Sequence, residues 1–158
     1  MALSANKFNI VTDKLVAGTY NWSSNGFKMA LCTAAAAPIA GDTTFTSGTG
    51  TGTATEVANG NGYTSGGVAL TGTTIGSNSG SGTTLKTSAN FASPTWTSNT
   101  ANVALRYFVW WNTTVGTGVS GSVQAWWDYG STLTLAGANG DTLDISGSNF
   151  NTSWATVA

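Results

Sequence analysis

Two stretches of alternating side chains, Val103–Asn112 and 122–129, restrict the fold of this chain more than any other feature. In the first, Val103, Leu105, Tyr107, Val109 and Trp111 share one face of an extended backbone. Ala104, Arg106, Phe108 and Trp110 share the other. Successive side chains of a strand point to opposite faces, so apolar residues on both sides describe a strand buried twice, or buried once and docked once. The second stretch repeats the character, with Val123, Ala125, Trp127 and Tyr129 against Gln124, Trp126 and Asp128. The glycine-bounded turn 116–121 between them predicts an antiparallel hairpin. Facing aromatic pairs in such a ribbon contribute about 0.5–1.5 kcal/mol each beyond simple burial.

Weaker period-two signals surround this ribbon. Phe27, Met29 and Leu31 predict a strand over 26–33, Val68 and Leu70 one within 64–74, and Leu85 begins another over 85–91. Short strands are expected over 131–135 and 142–146, with Asn139-Gly140 between them as the strongest two-residue hairpin signal. Gly76–Gly82 reads as a hairpin tip, and Phe150 and Trp154 predict that the C-terminal tail docks. At the other end, Phe8, Val11 and Leu15 recur at helical spacing. They predict a helical segment over about 4–17, capped by Ser4 and ended by Gly18, with Lys14 suited to the C-terminal end of the dipole. The Gly/Thr-rich stretch over about 43–55 offers no packing face and is expected to be an arm or loop. Together these elements predict one all-β domain over 1–158, a β-sandwich or jelly-roll-like fold with one short N-terminal helix.

Composition then narrows the chemistry. Five Lys/Arg, six Asp/Glu and no histidine leave the chain 7 % charged, where an average domain is about a quarter charged. Seven Trp, six Phe and four Tyr argue against disorder. A net charge of −1 provides no footprint for nucleic acid or an anionic membrane. No apolar run approaches the length of a membrane-spanning helix, and the repeated ten-residue strands of an outer-membrane barrel are missing. The first residues carry no apolar core of a secretory signal, so synthesis in a cytoplasm is expected. Lone Cys32 lies in an alternating apolar segment and reads as a buried thiol.

The acids are Asp13, Asp42, Glu56, Asp128, Asp141 and Asp144. Asp141 with Asp144 or Asp128 is the arithmetic minimum for a glycosidase pair or a calcium site, but Asp141 follows Asn139-Gly140 and is expected to serve the turn's backbone. No catalytic, cofactor or metal residue is therefore assigned. Gly48-Thr-Gly-Thr-Gly lacks the lysine and the flanking strand and helix of a phosphate loop. The aromatics pose the sharper choice among core filler, subunit contacts and sugar-stacking platforms. Trp111 and Trp127 are expected inside. Trp110, Trp126, Phe108 and the single arginine, Arg106, are expected at a subunit boundary, joined by Thr49, Thr51 and Thr53 of the arm.

The order of several segments resembles a group of small tailed-bacteriophage virion proteins. The segments are Phe27-Lys28-Met29-Ala30-Leu31, then Glu56-Val57-Ala58-Asn59-Gly60-Asn61-Gly62 running into Tyr63-Thr64-Ser65-Gly66-Gly67-Val68-Ala69-Leu70-Thr71-Gly72. Trp96, the strand from Leu105 to Trp110, Trp127-Asp128-Tyr129-Gly130 and Gly140-Asp141-Thr142-Leu143-Asp144-Ile145 follow. The likeness covers about Lys28 to Ile145, and the block from Tyr63 to Gly72 is its most specific part. The chain departs from the group in its extra Gly and Thr, its lower charge and an extended 46–55 insertion. The resemblance implies a non-enzymatic virion structural protein, foremost a capsid decoration (cement) protein on the outer surface of the head, made in the host cytoplasm. It implies a homo-oligomer, as a trimer on three-fold positions, with the major capsid protein as partner. The alternatives are a tail-fibre or adhesin protein contacting other tail proteins, and a carbohydrate-binding module. No nucleic acid, membrane or cofactor is implied.

Overall fold

A computed structural model describes residues 4–21, 24–71, 74–75, 84–90, 94–115, 120–145 and 150–156. Its elements in chain order are β1 (Ser4–Lys7), α1 (Ile10–Val16), β2 (Phe27–Cys32), β3 (Thr44–Thr46), β4 (Val68–Ala69) and β5 (Thr74–Ile75). They continue with β6 (Thr84–Asn90), β7 (Thr95–Thr97), β8 (Val103–Asn112), β9 (Ser120–Leu135), a 3-10 turn at Gly137–Asn139, β10 (Thr142–Asp144) and β11 (Phe150–Thr156). The fold is mostly β with one short helix. Its main sheet is antiparallel, six-stranded and open, in the order β1-β9-β8-β2-β4, with β3 sharing the edge of β9 that β1 occupies. A two-stranded sheet, β10-β7, and a three-stranded one, β11-β6-β5, accompany it.

The aromatic ribbon forms as its alternation predicts, and its packing follows from the register. Large residues of β8 face large or small ones of β9 in turn: Phe108 opposite Trp127, Val109 opposite Trp126, Trp110 opposite Ala125 and Trp111 opposite Val123. On the other side β2 places Leu31 beside Phe108 and Met29 beside Trp110. Every β8 residue from Tyr107 to Asn112 is buried, and so is every β2 residue from Met29 to Cys32, so both faces of the sheet are covered there. Trp110 is stacked on Trp127 with ring centroids 6.4 Å apart and meets the edge of Phe27 at 5.6 Å. Trp111 is stacked on Phe45 at 5.0 Å.

Four expectations change. The segment over 4–17 is a strand followed by a helix. Ser4 does not cap a helix, because residues 4–7 pair with Ala125–Asp128 of β9, whose edge needs partners for its backbone groups. The helix begins only at Ile10, and its β-branched start explains why so little of the segment is helical. Phe8 and Val11 are its buried contacts, while Leu15 and Val16 face outward.

Asn139-Gly140 makes no hairpin. The 3-10 turn before Gly140 redirects the chain, so that β10 pairs with the distant β7, Leu143 opposite Trp96. A two-residue hairpin forms instead at Asn61-Gly62. Gly60 and Tyr63 exchange both backbone hydrogen bonds, at 2.8 and 2.9 Å, and the two central residues have φ of 53° and 88°. Positive φ at both positions is the turn type whose twist matches paired strands. A Cβ on Gly62 would stand 1.8 Å from the Thr97 carbonyl oxygen, so contact across the fold demands glycine there.

The two strands expected over 122–129 and 131–135 are one strand, β9. Between the pairs Tyr107–Asp128 and Leu105–Leu133 it carries three more residues than β8, a bulge that absorbs Gly130. Finally, the Gly/Thr-rich 43–55 segment, expected as an arm or loop with no packing face, opens with β3 and folds into a loop that does offer one. Phe45 and Ala54 are buried, Thr46 bridges to Gly50, and Gly50 bridges to Thr55. The tip expected at Gly76–Gly82, Phe91, most of the turn over 116–121 and the side chains of Phe150 and Trp154 lie outside the described residues.

Candidate functional site

A dense polar construction covers the outer edge of β2. Strand β4 covers only Lys28 and Met29 of that edge. The rest is satisfied by loop groups: Leu70 N–H donates to the Phe27 carbonyl, Val57 N–H to that of Leu31, and Leu31 N–H to the Tyr63 hydroxyl at 3.1 Å. Thr33 N–H donates to the Thr55 carbonyl. Gly67 passes so close that a Cβ there would lie 1.9 Å from the Met29 carbonyl oxygen. An open strand edge invites pairing with another chain, and the 55–70 segment closes this one.

Glu56 holds that segment in place. Its side chain is 4 % exposed, and Oε1 accepts from the Tyr63 hydroxyl and from Gly66 N–H, both at 2.5 Å. Oε2 accepts from Gly48 N–H. A carboxylate out of water is tolerated only when its lone pairs meet donors, and three donors surround this one. The Gly66 carbonyl in turn accepts from the indole N–H of Trp111 at 3.0 Å, which ties the loop to the ribbon. Burial first, and then the neighbouring Glu56 charge, push the Tyr63 phenol well above its usual range, so it remains a neutral donor. The same two causes in the same order raise the buried Cys32 thiol, which is inert in this setting.

Asp42 builds a second centre beside it. Its Oδ2 accepts from the hydroxyls of Thr51 and Thr53, each at 2.7 Å, and from Ile39 N–H. Thr51 Oγ1 accepts from Ala54 N–H at 2.9 Å and from Thr53 N–H at 3.2 Å. Two acids thus hold a stretch of Gly and Thr that has almost no apolar content. Sequence reasoning missed both. The available signal was that Asp42 and Glu56 bracket the low-complexity segment, in a chain with few other acids.

The residues expected at a subunit boundary fall into three groups. Trp110 and Phe108 are corrected: at 0 % and 1 % exposure they belong to the protomer core, because both faces of β8 are covered within one chain. Thr51 is likewise buried, on Asp42. Thr49 and Thr53 are exposed, although the Thr53 hydroxyl also serves the Ala37 carbonyl and Asp42. Trp126 is half-buried, with Phe8 packed on it at 4.5 Å. Arg106 forms a bidentate pair with Asp128 at 2.8 and 2.9 Å and lies 5.1 Å from the centre of the Tyr107 ring. The guanidinium hydrogen bonds hold the Asp128 carboxyl below its ordinary value, helped by Gly130 N–H. Trp111 and Trp127 are inside, as expected.

Asp141, weighed as an acid of a catalytic pair, accepts from Ala136 N–H at 2.9 Å and holds the turn. Among the described residues, no three His, Cys, Asp or Glu side chains gather into a group able to hold a metal ion. No helix of the described residues is long and apolar enough to cross a membrane. Compared with protein-family models, curated proteins and solved structures, the chain finds no match.

Proposed function

We propose that this chain is a structural protein of a tailed-bacteriophage virion, a decoration protein that cements the outer surface of the head. One observation carries the reading. Four polar side chains in the segments that resemble the phage group, Glu56, Tyr63, Asp128 and Asp141, are engaged in holding loops and a bulge in shape. Segments whose charged groups brace backbone are suited to presenting a rigid surface.

The proposal extends to the packing of the layers. Burial on both faces of β2 and β8 supports a sandwich-like, jelly-roll-related arrangement with the main sheet as one layer. Homo-oligomers, as trimers on three-fold positions, bind seams of the major capsid protein through uncharged surface that includes Thr49 and Thr53. Attachment through such groups is only weakly salt-sensitive. The protein performs no reaction and needs no cofactor.

The test is to localise the protein on purified particles by labelled electron microscopy and count its copies. A count that follows the symmetry of the head lattice is expected. A few copies confined to the tail would replace decoration with a fibre or adhesin role, and absence from particles would overturn the reading.

A further inference from the structure

On the opposite edge of the main sheet, α1 stands over the start of β3 and the first residues of β9, leaving a cleft of about 420 Å³. The hydrogen bond from Asn9 N–H to the Ala40 carbonyl holds the helix start beside the segment that leads into β3. Ile10 and Lys14 line the cleft from the helix, Thr43 and Thr44 from the β3 side, Val115 from the loop after β8, and Ser122 from β9. The volume falls in the range of small-molecule sites, about 300–1,000 Å³.

The donors of this cleft are unequally committed. Ser122 is 6 % exposed; its hydroxyl accepts from the Tyr20 phenol at 2.5 Å and donates to the Thr43 carbonyl at 3.3 Å. It is a fixed floor. The Thr43 and Thr44 hydroxyls contact each other only at 3.5 Å, and both residues are exposed. Lys14 makes no ion pair among the described residues. The Arg106 cation, by contrast, is held by Asp128. No acidic side chain lines the cleft.

We propose that this cleft binds a carboxylate carried on a short aliphatic stem. The Lys14 ammonium and the Thr43 and Thr44 hydroxyls donate to the carboxylate, and Ile10 and Val115 flank the methylenes. A lone ammonium with hydroxyl donors matches a single negative charge. The single cation of the lining leaves the second charge of a phosphate dianion without a partner. The carboxylate can come from a free small acid or from a glutamate side chain of a bound protein. The inference stands apart from the virion reading, since it concerns the isolated chain.

The test is an NMR titration of the full-length, ¹⁵N-labelled protein with glutarate, with a capped Ala-Glu-Ala peptide and with its Ala-Gln-Ala counterpart. Saturable shifts of the amides of residues 10, 14, 43, 44, 115 and 122 are expected with the acids and not with the glutamine peptide. Lys14→Met should weaken binding about tenfold, the size of one charge-assisted hydrogen bond. Lys14→Arg should retain most of it, and Thr44→Val should weaken it less than Lys14→Met. Thermal unfolding of each variant checks that the fold is kept. Binding of glutarate alone assigns the site to a free acid, and binding of both acids allows a protein side chain. Shifts that are absent, lie elsewhere, are equal for the glutamine peptide or survive Lys14→Met would overturn the proposal. Particle localisation bears only on the virion reading, so the two can fail separately.

Discussion

The β8–β9 ribbon and the 42–70 segment are held in shape by opposite means. The ribbon is held by area: Trp110, Phe108, Val109, Trp111 and Trp127 are all buried, and each touches partners set by strand register. The 42–70 segment sends Phe45, Ala54, Val57, Tyr63 and Leu70 into the core, but its Gly and Thr backbone is held by direction. Two buried acids accept from named hydroxyls and backbone groups, and Glu56 connects the segment to the ribbon through Gly66 and Trp111. Apolar burial tolerates small misfits because it is non-directional, whereas a buried carboxylate requires its donors to be in place. A Gly/Thr-rich sequence is therefore no sign of disorder when it is bracketed by acids that its own backbone can surround.

The contrast predicts different responses to mutation. Trp110→Ala removes a fully buried ring and should cost about 3–5 kcal/mol, read as a lower urea midpoint for the whole protein. A local loss confined to a few amides would show that the ribbon is not the common core. Glu56→Ala leaves the Gly48 and Gly66 N–H groups and the Tyr63 hydroxyl without their acceptor and should cost about 3 kcal/mol. Its loss should be concentrated in faster hydrogen exchange at Gly48 and Gly66; unchanged protection there would break the comparison.

Tyr63→Phe should cost about 1 kcal/mol by removing the donor to Glu56 and the acceptor for Leu31 N–H. It also carries a pH signature. The folded phenol titrates above its unfolded value near 10, so its contribution is complete below that pH and is lost as pH rises beyond it. Alkaline unfolding should be steeper in the wild type than in Tyr63→Phe, and parallel curves would contradict the raised phenol.

The smallest expected effect is at Arg106, whose pair with Asp128 is about one-third exposed and screened by solvent. Asp128 is depressed in the folded protein, so the contribution of the pair is present above the ordinary carboxylate value and lost as pH falls through the folded one. Arg106→Met should flatten the acid limb of stability measured between neutral pH and about pH 3, its small loss being fullest at pH 7 and fading toward the acid end. An equally steep limb would place the acid sensitivity elsewhere.

How much of this was legible beforehand follows the range of each interaction. Alternation in β2 and β8, the strand character of β9 and the inward position of Trp111 and Trp127 depend on neighbours two residues apart, and these were readable. The helix was half readable. Of the expected stripe Phe8, Val11 and Leu15, Val11 alone is a buried residue of the helix, and the pairing of residues 4–7 with β9, more than a hundred residues away, was not encoded locally. Asn61-Gly62 and Asn139-Gly140 are the same dipeptide with different outcomes. Partners on distant strands, Thr97 against Gly62 and β7 against β10, decide between hairpin and redirected chain.

The sequence alone determined that the chain builds an aromatic, two-sided antiparallel ribbon with few ionisable groups, because side-chain alternation and composition are local quantities. Tertiary structure alone decided which aromatics remain available at the surface, and it turned Asp42 and Glu56 into anchors and left a lysine beside an open cleft. Each of those outcomes depends on groups that meet only when segments far apart in the chain come within hydrogen-bonding distance.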